Sequence, residues 1–165
     1  MWKLLKYLMF SILSFIVILF IIFPITCTIN NSFRRNKVES ECSNTNKVPD
    51  PVILLNGFDN KEFDSILVKE YNGASLLDSF KVFVFPYRDI DSVSKERIIS
   101  LSRPLNIHNR YLFMVPGQTP YELANMKMDV LEEETMTSTV YLCELNEYTI
   151  DGVKNYRGNP QFIKR

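Results

Sequence analysis

Few side chains in this sequence could carry an active site. The single histidine, His108, stands in Leu105-Asn106-Ile107-His108-Asn109. Neither a Ser-His-Asp relay nor a multi-histidine metal site can be built around it, and its place ahead of an apolar run reads as a solvated loop. Carboxylates are the remaining resource. Asp89 and Asp91, with Asp59 or Asp64 brought near by folding, offer oxygens to Ca²⁺, but the spacing lacks the alternating ligands and ordered glycine of a calcium loop. Two carboxylates in one cleft would support glycoside hydrolysis, which depends on their separation in space. Glu132 to Glu134 reads as a solvated turn, and five glycines scattered singly supply no phosphate-cradling loop. The expectation is a non-enzymatic chain with no catalytic, cofactor-binding or metal-ligating residue and no cofactor. A carboxylate-dependent hydrolase is the alternative.

The three cysteines divide by position. Cys42 and Cys143 are candidates for one disulfide in an oxidising compartment. The other reading is a buried, reduced Cys143 in a strand with Cys42 as an exposed thiol. Cys27 follows Pro24-Ile25-Thr26, a layout in which cleavage just before the cysteine and its lipidation would replace a membrane-spanning helix. Asn30-Asn31-Ser32 matches a short glycosylation acceptor pattern.

The element that positions everything else is apolar. Tyr7 to Ile25 is a run of nineteen residues without a charge, which as helix reaches roughly 28 Å, close to the thickness of a bilayer core. Lys3 and Lys6 precede it, and Arg34, Arg35 and Lys37 follow. Such a start predicts an uncleaved single-pass transmembrane helix over 4–25 within an anchor at 1–27. The N-terminus would be cytoplasmic, and the C-terminal domain extracytoplasmic, in the periplasm or at the cell surface. The bilayer is then the first partner.

The whole chain balances 19 basic against 19 acidic residues, and no basic cluster argues for nucleic acid. Residues 28–50 are rich in Asn and poor in apolar pairs, and are expected to form a flexible polar tether. From Pro51 the texture changes to short apolar runs of period two between turn signals. Phe80, Val82 and Val84 alternate with Lys81, Phe83 and Phe85, and Asp151-Gly152 separates two short runs as a hairpin turn. Residues 121–134 fit a helix through Leu123, Met126, Val130 and Leu131, and a strand through Ala124, Met126, Met128 and Val130. The strand is preferred, because Ser138 to Leu145 then supplies its antiparallel partner.

Gly57-Phe58-Asp59, Phe63-Asp64, Ile66-Leu67-Val68-Lys69-Glu70-Tyr71, Tyr121-Glu122-Leu123 and Tyr148-Thr149-Ile150-Asp151-Gly152 together resemble small envelope proteins of Gram-negative bacteria, many of them lipoproteins. The resemblance covers most of residues 52 to 153. It implies a mainly β fold, an immunoglobulin-like or transthyretin-like antiparallel β-sandwich of about seven strands, expected here over 51–156 with a disordered tail at 157–165.

Aromatic residues are dense in this domain, and the two-faced strand around Phe83 and Phe85 is expected to leave an aromatic patch exposed. Exposed patches of this kind favour protein contact. The expected function is therefore a membrane-anchored structural or interaction module that contacts an envelope protein or itself.

Overall fold

The computed structural model describes residues 2–58, 63–86, 96–135 and 139–165. Asp59, Asp89, Asp91 and Thr137 lie outside these residues, as does the loop from Tyr87 as far as residue 95.

The chain opens with one helix, α1, Trp2–Asn44. It continues well beyond the apolar run, through the segment expected to be a flexible tether. That segment is polar, but no Gly or Pro stands between Thr28 and Asn44 to interrupt the backbone ladder. Lys37 and Glu41 face each other one turn apart at 4.0 Å. Asn44 Nδ2 donates to the Ser40 carbonyl at 2.7 Å and Thr45 N to that of Cys42 at 3.1 Å, which closes the last turn.

Among the described residues, no helix is long and apolar enough to cross a membrane. That finding corrects the expected transmembrane helix over 4–25 and the bilayer partner. It also corrects the single-pass topology with cytoplasmic N-terminus and extracytoplasmic domain. Cys27 lies inside continuous helix, and nothing supports its lipidation.

The rest is mainly β, but it is not a sandwich. Among the described residues eleven strands follow: β1 Lys47–Val48, β2 Val52–Asn56, β3 Ser65–Asn72, β4 Ser75–Pro86, β5 Glu96–Ser100, β6 Leu105–Asn106, β7 Arg110–Met114, β8 Tyr121–Glu134, β9 Thr139–Ile150, β10 Val153–Tyr156 and β11 Gln161–Ile163. β1 and β6 form a small pair, and the others make one nine-stranded sheet in the order β10-β9-β8-β7-β3-β4-β5-β2-β11. All its pairings are antiparallel except that of β11 with β2. The residues expected to be a disordered tail thus supply an edge strand.

The two packed sheets of the expected sandwich are replaced by one sheet curled into a half-barrel, and β4 is the reason. Its first part pairs with β3 as far as Phe83, and Val84 to Pro86 pair with β5. One continuous strand therefore carries the sheet around the corner that a sandwich would break. Period-two alternation assigns each residue to a face but is the same in both architectures.

The concave face holds the core. Ile53, Leu55, Ile66, Val68, Val84, Ile99, Tyr111, Phe113 and Leu123 are all buried there, and complete burial of such side chains contributes about 1.5–3 kcal/mol each. Phe162 of β11 sits between Phe113 and Tyr121, with ring centroids 5.0 and 4.7 Å away. The far edge of the sheet thereby closes over β7 and β8. Tyr121 Oη donates to the Ile163 carbonyl at 2.6 Å, and Leu54 N to that of Pro160 at 2.8 Å.

Residues 121–134 form a strand, β8, which runs with β9 as a long hairpin beyond the barrel. The bulge between Ala124 and Lys127, with Asn125 at φ 51°, re-aims the strand there. Cys143 of β9 is bonded to Cys42 of α1, with Cα atoms 5.4 Å apart, so the helix end is tied to this hairpin. Asp151 and Gly152, both at positive φ, make the tight turn from β9 to β10.

Candidate functional site

His108 is exposed in the turn between β6 and β7, where its backbone N–H donates to Asn106 Oδ1 at 3.0 Å. No acid, base or nucleophile bonds to its ring among the described residues. Asp64 is exposed, and the other carboxylates considered for Ca²⁺ fall outside the description. Among the described residues, no group of three or more His, Cys, Asp or Glu could hold a metal ion.

Two carboxylates, Asp50 and Glu144, line one cleft of about 470 Å³ between the β1–β2 connection, β9 and the loop before β11. Both are exposed, whereas a glycosidase needs one carboxyl kept protonated by apolar surroundings. The hydrolase alternative is corrected on this ground.

The most highly organised polar group is one the sequence did not single out. Glu70 follows Ile66 and Val68 on the concave face of β3 and is buried. Its Oε1 accepts from Asn109 Nδ2 at 2.6 Å and from Tyr111 Oη at 2.8 Å, and its Oε2 accepts from Arg103 Nη2 at 2.7 Å. Arg103 Nη1 reaches Asp78 Oδ2 at 2.5 Å, and its guanidinium lies 4.3 Å over the Phe80 ring. Tyr111 Oη accepts from Asn106 N at 2.8 Å. Burial first, and the Glu70 carboxylate second, push the Tyr111 hydroxyl well above its ordinary range. The Arg103 hydrogen bond holds the Asp78 carboxyl below its own. Three donors meet the buried carboxylate, so the cluster is a polar plug that ties β3 to Arg103 and to the residues at the start of β7. The only trace of it in the sequence is a glutamate at an inward position of an alternating strand.

The convex face is different. Phe83 and Phe85 are 63% and 53% exposed, and Leu67 on the neighbouring strand is exposed as well. The register continues the apolar surface on both sides. Phe85 pairs with Ile98, which pairs with Leu54, and Leu67 pairs with Met114. Two lysines stand within it. Leu67 pairs with Lys81 and Ser79 with Lys69, which places the lysines diagonally on the same face. Neither makes an ion pair among the described residues. The nearby Arg110 differs, bonded to Glu122 at 3.3 Å over the Tyr71 ring. The exposed aromatic patch anticipated from the Phe83 and Phe85 alternation thus lies on the outer surface of β3 and β4.

No protein-family model matches this chain, and neither does any curated protein or solved structure.

Proposed function

We propose that the chain is a non-enzymatic, protein-binding domain that contacts its partner through the convex face of β3 and β4. The observation that carries this reading is the exposure of Phe83 and Phe85 side by side on one strand face. Each aromatic side chain offers roughly 150–250 Å² for burial, and at about 25 cal/mol per Å² the pair could contribute several kcal/mol to association. A continuous apolar surface of this size on a sheet is a contact site or an aggregation hazard. The engagement of Glu70 adds support, because three donors within the domain, from Asn109, Tyr111 and Arg103, already hold this buried carboxylate.

A photo-cross-linking amino acid placed at Phe83 tests the reading in cells that make the protein. The expected result is a discrete covalent adduct with one protein, absent when the same group is placed at Glu132 on the distant hairpin, and lost when Phe85→Ser is added. Equal labelling from both positions would overturn it.

A further inference from the structure

We propose that the partner of the convex face presents an amphipathic helix whose carboxylates seat on Lys69 and Lys81. This rests on the protein-binding reading above and goes beyond it by naming the chemistry of the occupant.

The argument is one of charge complementarity within an apolar surface. Lys69 and Lys81 project from adjacent strands in a diagonal relation, with Cβ atoms roughly 7–8 Å apart or a little less. Apolar side chains flank them along the register, Leu112 beside Lys69 and Leu67 beside Lys81. Neither lysine is neutralised by an ion pair among the described residues, while Arg103 and Arg110, the neighbouring arginines, are both engaged with carboxylates. Two unneutralised cations inside an apolar contact surface would cost binding energy if buried against an apolar partner, and favour one that brings carboxylates. The Cβ atoms of acidic residues one helical turn apart lie about 5–6 Å from each other, a gap from which two flexible side chains reach both lysines, and leave the leucine-bearing face of such a helix against Leu67 and Phe83. A helix laid across a sheet is also the common way to cover an apolar sheet face.

Single-stranded nucleic acid fits less well. Its backbone needs a track of several cations along which bases stack on aromatic rings. Among the described residues this face has two lysines without an ion pair, its third cation, Arg110, is engaged with Glu122 over the Tyr71 ring, and its other apolar residues beyond Phe83 and Phe85 are aliphatic.

The test uses the full chain and three synthetic helical peptides of about 18 residues, each with leucines along one face. They differ only at the two positions bordering that face one turn apart, which carry Glu, Gln or Lys. Binding is read by fluorescence anisotropy. The Glu peptide is expected to bind roughly tenfold more tightly than its Gln twin, and the Lys peptide more weakly than either. Lys69→Ala with Lys81→Ala should reduce the Glu peptide to the level of the Gln peptide, as should raising the salt from about 50 to about 500 mM. If Glu and Gln peptides bind equally well and both are lost in Phe83→Ser/Phe85→Ser, the acidic-partner inference fails while the protein-binding reading stands. If no peptide binds the wild-type chain better than that variant, or a thymidine oligonucleotide competes them all away, both fail. Circular dichroism of each variant establishes that it is folded.

Discussion

Phe162 lies over Tyr121 with ring centroids 4.7 Å apart and planes 11° from parallel, although one residue belongs to an edge strand of the sheet and the other to the third strand from the opposite edge. This contact closes the half-barrel. Phe162→Ala should destabilise the domain by about 3–5 kcal/mol, since it empties a fully buried aromatic site. Urea unfolding of the variant checks this, and a loss below about 1 kcal/mol would mean that β11 is not part of the cooperative unit.

The bond between Cys42 and Cys143 spans 101 residues. In the chain-entropy description a loop of that length contributes about 4–5 kcal/mol. Cys42→Ser with Cys143→Ser should therefore lower the unfolding midpoint markedly and open residues 34–44 to trypsin at Arg34, Arg35 and Lys37. Unchanged proteolysis at those sites would show that packing alone holds the helix end against β9.

Acid should weaken the plug through Asp78. The Arg103 hydrogen bond lowers its folded-state pKa, so the unfolded chain takes up a proton first as pH falls. The stability so gained is present above about pH 4, the unfolded value, and is lost as pH falls through the lower folded value. Asp78→Asn should remove this part of the slope, which midpoints measured between pH 2 and 6 would reveal.

Alkali should act through the buried phenols. Burial raises the pKa of Tyr111, Tyr121 and Tyr148, so the folded state keeps protons that the unfolded chain releases, and stability falls once pH rises above about 10. Tyr111→Phe should shallow that alkaline fall. At neutral pH the same change should cost about 1–3 kcal/mol, because Glu70 Oε1 is left with Asn109 alone. A variant as stable as the parent would show that water replaces the phenol.

Phe83→Ser and Phe85→Ser should leave stability within about 0.5 kcal/mol of the parent, since both side chains stand on the outer face. A larger loss in thermal unfolding would place these rings in the core rather than at a contact surface.

What could be read from the sequence was local. Alternation through β4 separates Val82 and Val84, which are buried, from Phe83 and Phe85, which are not, and Asp151-Gly152 announces its own turn by needing two positive φ values. The architecture was not local. No periodicity distinguishes a strand that stays in its sheet from one that carries the sheet round a corner, as β4 does. β11 was missed because Phe162-Ile163 is an apolar run of only two residues, too short a signal for any period. The helix through 28–44 was missed because polarity was taken for flexibility, although nothing in that stretch breaks a helix. Glu70 was missed because a buried glutamate is recognisable only when its three donors, remote in sequence, are seen together.

The pairing of β11 with β2 joins the last strand of the sheet to the first of its strands to be made. During synthesis β2 therefore waits with one bare edge until residues 161–163 have left the ribosome exit tunnel, while every antiparallel neighbour has already been made. A chain in which β11 has not yet paired is an open β-edge bearing Leu54 and Leu55, so any delay before residues 161–163 dock carries a specific hazard, the pairing of nascent chains with one another through β2.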